Sequence, residues 1–223
     1  MKKQITILFT IILTLSLSAQ ETTPLSAPGD TLQYTLGAFV GQWILKNNFT
    51  INNPALFTQG MNDVFQNKPL AVNDTTIVQR IAAYQLSTQT ERSRQMEAQL
   101  FAELKGKSGV GALPNGVHYI VVETGTGVRP TAKDSIVINA VGLFPDGTVF
   151  EDTFEAKQTI KNTPSNLIPG LNKAIQLMPE GSKWRIFIPS ALAYGANGIP
   201  NIIPPFTALV FDITLEEVKI NKN

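Results

Sequence analysis

The residues with the most evident chemical potential lie in a short loop near the carboxyl end of the chain. Residues 199–206 are rich in isoleucine and proline, Tyr194 precedes them, and Phe211 follows in a segment typical of a strand. A phenol and an aromatic ring beside exposed apolar side chains are typical of a recognition surface. We therefore expect this loop to bind an apolar group, with a simple packed hydrophobic loop as the alternative.

Residues for bond-breaking chemistry are sparse. The only histidine, His118, stands alone in a predicted strand, where a histidine is far more often structural than catalytic. The carboxylate pairs Glu151-Asp152 and Glu216-Glu217 are adjacent in sequence, and neighbours in a strand point to opposite faces. The sequence also shows neither a nucleophile elbow nor a phosphate-binding glycine loop. These features disfavour hydrolytic and redox chemistry, and we expect no metal and no cofactor.

Composition excludes further classes of protein. The 223 residues carry 18 basic and 17 acidic side chains, for a formal charge of +1, so the chain lacks the basic excess that nucleic acid requires. The absence of cysteine excludes a disulfide scaffold, a thiolate zinc site and a cysteine nucleophile.

The first residues have the order of a secretory signal. Lysines at positions 2 and 3 precede a nearly unbroken apolar run at residues 5–17, and small residues follow up to Ala19. Because a spanning helix usually needs about 20 apolar residues, we predict cleavage near Ala19 in preference to a membrane anchor. Residues 1–19 are assigned to a signal peptide and residues 20–29 to a flexible tail. The mature chain is then expected to be secreted across the inner membrane, to the periplasm in preference to the cell surface, without a stable membrane span.

Helical patterns open the mature chain. Asp30 and Gln33 have the spacing of a capping box, and the Asn-Pro pair at 53–54 predicts a second helix start. A third segment, residues 75–104, contains no glycine or proline and would reach about 45 Å as a helix. Its middle, residues 87–95, is almost wholly polar, which is typical of a stalk that crosses solvent between domains.

The apolar stripes of the first helices are too large for so small a core. Phe39, Trp43, Phe57 and Phe65 carry more aromatic surface than a few short helical turns can cover. Either these side chains pack on the carboxyl-terminal domain or two chains share them. Because a polar stalk would hold the domains apart, we predict a homodimer formed through residues 30–85.

The sequence pattern changes from helix to strand after residue 104. Glycines at 106, 109 and 111 and a Pro-Asn-Gly turn at 114–116 mark the boundary. Beyond it, strand-like runs ended by turns surround one helical stretch that begins near Pro169. We predict an α+β fold, with an antiparallel curved β-sheet and one packed helix in residues 107–223. An all-α dimerisation region with a long stalk helix precedes it, in residues 30–106.

Five motifs resemble the FKBP family of prolyl isomerases. In the order of the chain they are PDGTVF at 145–150, LIPG at 167–170, AYG at 193–195, IIPP at 202–205 and LVFD at 209–212. The resemblance covers about residues 116–219. Residues 30–39 and 60–63 are similar to the macrophage infectivity potentiator type, whose members are secreted, with a long stalk helix and an amino-terminal dimerisation region.

This resemblance implies a peptidyl-prolyl cis-trans isomerase that assists the folding of exported proteins. Its partners would be proline-containing, unfolded or partly folded polypeptides. It gives catalytic roles to Glu151, Tyr194 and Ile168, the last through its backbone N–H. Around the proline ring it places Phe150, Leu167, Ile168, Leu171, Tyr194, Ile202, Ile203 and Phe211.

Three positions depart from the family pattern. Ala140 stands where the family usually has tyrosine, Leu171 where a tryptophan usually forms the pocket floor, and Glu151 where it has aspartate. The far wall of the pocket falls at Gln158 or Ile160. We expect a wider pocket, weaker macrolide binding and reduced turnover. The alternative is an FKBP-fold chaperone or binding module with little or no isomerase activity.

Overall fold

The computed structural model describes residue 25 and residues 27–221. The predicted signal peptide and most of the predicted tail lie outside the described residues. The chain divides into two compact units, one ending at Thr50 and the other beginning at Ile51. Within the described ranges, no helix is long and apolar enough to cross a membrane. The domain boundary at residues 106/107 stays a prediction.

The first unit contains the helix α1 (Asp30–Lys46). Its N-cap is Gly29, which has no side chain to donate or accept, and Asp30 accepts a hydrogen bond from Ala27 N–H (2.6 Å). The capping box predicted for Asp30 and Gln33 is therefore wrong, because the helix begins one residue before that pattern requires. No residue of α1 is buried, although leucine and aromatic side chains are frequent in it.

The second unit opens with two helices. In α2 (Pro54–Phe65) the side chain of Asn53 accepts a first-turn backbone N–H and the proline occupies the first position, which confirms the predicted start. A 3-10 turn capped by Asn73 then leads into α3 (Ile77–Leu104), a helix of 28 residues. The long helix is confirmed, and it begins two residues later than the sequence pattern indicates.

The rest of this unit is one antiparallel sheet with a short helix, α4 (Pro169–Ile175). The strands are β1 (Gly111–Ala112), β2 (His118–Glu123), β3 (Ser135–Leu143), β4 (Val149–Asp152), β5 (Ile160–Asn162), β6 (Lys183–Ile188) and β7 (Leu209–Lys219). Their order is β1-β2-β6-β7-β3-β4, and β5 pairs with β3. The α+β class is confirmed. The sequence does not reveal β1 and β5, because two or three residues are too few to show a period.

One face of the sheet and α4 enclose the main core. Burial alternates along β3, as expected for a strand with one covered face. The fully buried side chains include Ile136, Ile138, Ile175, Met178, Ile186, Ile213 and Leu215. Each contributes about 1.5–3 kcal/mol by leaving water, so this domain stabilises itself from its own residues.

The middle of α3 touches the sheet domain. Ser93 is buried, and its hydroxyl lies 3.0 Å from that of Thr207, which is also buried. The guanidinium of Arg94 lies 3.8 Å from the centre of the Phe206 ring. The prediction that residues 87–95 cross solvent is therefore wrong for their last turn, because short polar side chains here pair with polar groups of the domain.

The end of α3 is held by apolar contacts. Leu104 forms a small buried cluster with Phe187 and Val210, and Leu100 and Phe101 pack against it. Alternate residues of β6 and β7 point to opposite faces of the sheet, and one set faces the main core. The carboxyl-terminal half of α3 is anchored on the other face.

Candidate functional site

Strands β3, β4 and β7 bring three aromatic rings together. Phe150 lies edge-on to Phe211, with ring centroids 5.7 Å apart and planes at 87°, and Phe144 packs on Phe150 at 5.0 Å. Gly142 permits this contact, because a Cβ there would lie 2.6 Å from the Phe150 ring. The rings form an apolar wall in which Phe211 is buried and Phe150 is half-buried.

The start of α4 supplies apolar surface and a free donor. Leu171 is buried in the main core, and Leu167 and Ile168 are half-buried against it. Pro169 occupies the first turn of the helix, where its missing N–H costs nothing. In the part of the chain that the structure describes, the Ile168 N–H has no hydrogen-bond acceptor. The segment therefore offers one backbone donor beside apolar side chains.

Tyr194 lies in the loop after the 3-10 turn Ser190–Leu192. Its side chain is 37% exposed, and its hydroxyl makes no hydrogen bond to any described residue. Burial raises the pKa of this hydroxyl above its ordinary value of 10.0, and the negative charge of Glu151 raises it further. The phenol is thus held in its protonated, donating form.

The loop that follows is tied into a fixed shape. Ile199 and Ile203 exchange backbone hydrogen bonds of 2.7 and 2.9 Å. Gly198 adopts a φ of +58°, and a Cβ there would collide with the Ile203 carbonyl, so glycine is required. Ile203 is buried against the core, whereas Ile202 is 55% exposed. The loop therefore offers an apolar surface on a rigid frame.

The helix α3 holds the 3-10 turn that precedes Tyr194. The backbone N–H of Ser190 donates to Glu97 Oε1 at 3.2 Å. The Ser190 carbonyl in turn accepts hydrogen bonds from the N–H groups of Ala193 and Gly195, on either side of Tyr194. A carboxylate of the stalk is thus two hydrogen bonds away from the backbone that carries the tyrosine.

Six of the predicted site residues are brought together in one apolar cluster, and three lie exposed at its rim. One apolar cluster contains Leu171, Ile203 and Phe211 as buried members, with Phe150, Leu167 and Ile168 packed against it. Tyr194 and Ile202 are exposed, and so is Glu151, whose charge reaches Tyr194.

The structure shows the surroundings of Ala140, which departs from the family pattern, and of the two candidates for the far wall. Ala140 is buried, and its N–H donates to Thr153 Oγ1 (2.8 Å), which itself donates to Asn139 Oδ1 (3.3 Å). A buried threonine thus ties β3 to the segment after β4. Of the two candidates for the far wall, Ile160 packs against the core and Gln158 is exposed.

The remaining polar residues have structural surroundings. The His118 ring pairs through Nδ1 with the Gly116 carbonyl (3.0 Å) and lies 5.3 Å from the Phe101 ring. Glu216 accepts a hydrogen bond from Asn139 at 2.9 Å. Among the described residues, no group of three or more His, Asp or Glu side chains is placed to hold a metal.

The sequence motifs miss one member of the aromatic wall. Phe144 is not singled out by spacing or by the family motifs, yet its carbonyl accepts the N–H of Gly147 in the hairpin turn. The available signal is this hairpin, since a tight turn brings the residues before it close to the strand after it, which carries Phe150.

Comparisons with known proteins cover almost the whole chain. Residues 127–216 match the model for the FKBP-type peptidyl-prolyl cis-trans isomerase family. Residues 29–121 match the model for the domain amino terminal to FKBP-type peptidyl-prolyl isomerase.

Relatives align over similar lengths. The outer membrane protein MIP of Legionella longbeachae is 31% identical over 92% of this chain and 91% of its own length. The peptidyl-prolyl cis-trans isomerase Mip of Coxiella burnetii is 31% identical over 98% of this chain and 99% of its own. The crystal structure of FkpA from Escherichia coli is similar with a TM-score of 0.62 and 26% identity, over 88% of this chain and 99% of that one.

Proposed function

The chain belongs to the FKBP-type peptidyl-prolyl cis-trans isomerases of the macrophage infectivity potentiator type, and we propose that its apolar wall and loop form the isomerase site. The chemistry is rotation about the peptide bond that precedes a proline. The barrier to peptide-bond rotation is roughly 18–20 kcal/mol, and X-Pro exchange in water takes tens to hundreds of seconds. No bond breaks, which is consistent with a site that has no nucleophile.

An apolar site lowers this barrier by changing the resonance of the amide. The double-bond character of the C–N bond comes from a charge-separated form, and a dry pocket disfavours that form. A hydrogen-bond donor stabilises the twisted state where it meets the prolyl nitrogen, whose lone pair is released by rotation, and a donor at a carbonyl holds the substrate in place. Each 1.4 kcal/mol or so removed from the barrier accelerates rotation about tenfold.

The donors available for this role are Ile168 and Tyr194. The Ile168 N–H, which has no acceptor among the described residues and lies beside a cluster of apolar side chains, is the observation that carries the proposal. We assign this N–H and the Tyr194 hydroxyl to the substrate carbonyl. Burial, and to a smaller extent the charge of Glu151, raises the pKa of that hydroxyl, which favours its protonated form. The proline ring rests on a surface made by Phe150, Leu167, Ile168, Leu171, Tyr194, Ile202, Ile203 and Phe211.

The direct test is a proline-peptide isomerisation assay on the full-length chain. We expect the wild type to exceed the buffer rate and Tyr194→Phe to lower kcat about tenfold, the factor for roughly 1.4 kcal/mol of lost donor stabilisation. Tyr119→Phe, which removes a hydroxyl from a ring stacked on Trp184, is the control with unchanged activity. A wild-type rate equal to that of buffer refutes the proposal.

We infer that the substrates are exported polypeptides and that the enzyme acts in the periplasm. Two observations support this location: the signal-like order of the first 19 residues, and the name of the Legionella longbeachae relative as an outer membrane protein. Amino-terminal sequencing of the protein from a periplasmic fraction is expected to begin near Gln20. Recovery of the uncleaved chain from the cytosol alone contradicts the inference.

We propose further that the enzyme is a homodimer through residues 30–85. The support is the apolar surface of the amino-terminal helices, where no residue of α1 or α2 is buried in the single chain. Two isomerase sites on one dimer would raise the effective concentration of site on a client that carries several prolines. Sedimentation of the mature chain, expected at twice the mass of one chain without residues 1–19, tests the dimer.

A further inference from the structure

A groove of about 420 Å³ lies between α3 and the loop after Tyr194. Leu86 and Gln89 of the helix line one side, and loop residues within 197–205 line the other. The volume is within the range of sites that bind small ligands and peptide segments. None of the lining residues is charged.

The two sides of the groove are fixed against each other. Two contacts join the helix to the end of the loop: the buried hydroxyls of Ser93 and Thr207 lie 3.0 Å apart, and Arg94 lies over the Phe206 ring. On the loop, the paired backbones of Ile199 and Ile203 hold the shape. The groove is therefore a built feature and not a gap between loosely packed parts.

The lining combines exposed apolar side chains with free amides. Leu86 is 52% exposed, as is Ile202 at 55%. The carboxamides of Gln89, Asn197 and Asn201 form no hydrogen bond with any described residue. A carboxamide both donates and accepts, so this set can pair with the N–H and C=O groups of an extended backbone. The chemistry fits an uncharged polypeptide segment with apolar side chains.

The groove is continuous with the proposed proline site, because Ile202 and Ile203 belong to both. We propose that it holds the residues that flank the proline in a polypeptide client, so that the stalk helix takes part in substrate selection. This inference rests on the proposed isomerase function. It predicts that a long peptide with apolar, uncharged flanks is preferred over a tetrapeptide, and over a long peptide with acidic flanks.

The test uses the full-length chain with a proline tetrapeptide and a ten-residue peptide of the same central sequence and apolar flanks. The measured quantity is the ratio of kcat/KM for the long peptide to that for the short one. We expect Leu86→Ser to lower this ratio about five- to tenfold, from lost apolar contact. Gln89→Ala is expected to lower it about threefold, from a lost hydrogen bond. Leu177→Ser, the same chemical change at an exposed residue outside the groove, is the control with an unchanged ratio.

A wild-type ratio of one, or a ratio that Leu86→Ser leaves unchanged, overturns the groove assignment. Fluorescence anisotropy of the labelled ten-residue peptide separates this outcome from failure of the isomerase function. If the wild type does not isomerise the tetrapeptide, the proposed function fails. The groove assignment then stands if Leu86→Ser weakens peptide binding, and it falls if binding is unchanged.

Discussion

The amino-terminal helices and the sheet domain use the same apolar side chains in opposite ways. No residue of α1 or α2 is buried, and Phe39 is 64% exposed. In the sheet domain, the isoleucines of β3, β6 and β7 that face α4 are fully covered. The sheet domain therefore closes its own core, whereas the helices carry apolar surface that only another surface can cover.

The long helix α3 has both exposed and buried apolar side chains. Its first turns expose Val78 and Ile81, and its last turns bury Leu104 against the sheet. Between them, Ser93 and Glu97 make polar contacts with the domain. The polar middle of a long helix is therefore not evidence of solvent on every side, because short polar residues also form polar interfaces.

Shortening a buried side chain of the sheet domain should give the largest effect and tests whether buried and exposed apolar residues differ in their contribution to stability. Ile213→Ala, at a fully buried position of β7, is expected to lower the free energy of unfolding by about 2–5 kcal/mol through lost burial and a cavity. Ile220→Ala, 62% exposed, is the matched control and should change it by less than about 0.5 kcal/mol. Urea denaturation measures both, and equal effects contradict the division into covered and uncovered apolar surface.

The next effect tests what covers the helices. Phe39→Ser on α1 is expected to raise the dissociation constant of the dimer about 30-fold, the factor for an aromatic contact of about 2 kcal/mol. Gln33→Ser, an exposed polar change on the same helix, should leave it unchanged. Sedimentation across a concentration series measures the constant. A wild type that stays monomeric at high concentration refutes the shared core.

The tie between α3 and the tyrosine loop gives a smaller effect. Glu97→Ala removes the acceptor of the Ser190 N–H and is expected to lower kcat/KM about fivefold, for a hydrogen bond of about 1 kcal/mol at a half-buried position. Glu97→Gln keeps an oxygen at the same place and should restore most of the activity. Glu103→Ala, on an exposed turn of the same helix, should have no effect.

A purely structural role for Glu97 predicts a different pattern. In that case the variant would lose stability in urea, while kcat/KM of the remaining folded protein would equal that of the wild type. A lower kcat at saturating peptide, with the melting behaviour retained, identifies Glu97 as a positioning residue for the loop of Tyr194.

Much of the fold follows from local patterns. The Asn-Pro start of α2, the absence of breakers in α3 and the Pro-Asp-Gly hairpin each act through neighbouring residues, so sequence alone predicts them. The start of α1 does not follow, because Gly29 takes the N-cap position without any side-chain signal. The contact of Ser93 with Thr207 joins residues 114 positions apart, and no local pattern encodes such a pair.

The proposed site also has a part that the sequence predicts and a part that it does not. The family motifs locate Phe150, Ile168, Tyr194 and Phe211, because each of these residues lies within one of the five short motifs, which follow one another in the order of the family. The groove beside the loop is not predicted, since it depends on where Leu86 of a distant helix comes to lie. The resemblance thus locates the proposed isomerase site, and the structure adds the groove that we propose extends it.

The smallest effect concerns the protonation of Tyr194. Two causes raise the pKa of its hydroxyl, first burial and then the charge of Glu151. Because a negative charge disfavours the phenolate, Glu151→Gln is expected to lower this pKa. Since burial remains, the pKa should stay above the ordinary value of 10.0.

Ultraviolet difference titration, with Tyr194→Phe subtracted to remove the other tyrosines, measures this pKa directly. If the hydroxyl acts as a donor, kcat of the wild type should fall as the pH passes through the raised pKa of Tyr194, and in Glu151→Gln the fall should begin at lower pH. Asp152→Asn, at the neighbouring carboxylate on the same strand, is the matched control and should leave the titration in place. A pKa that does not respond to Glu151→Gln, or a kcat that persists after the phenol has ionised, separates the acid from the tyrosine and removes the hydroxyl from the mechanism.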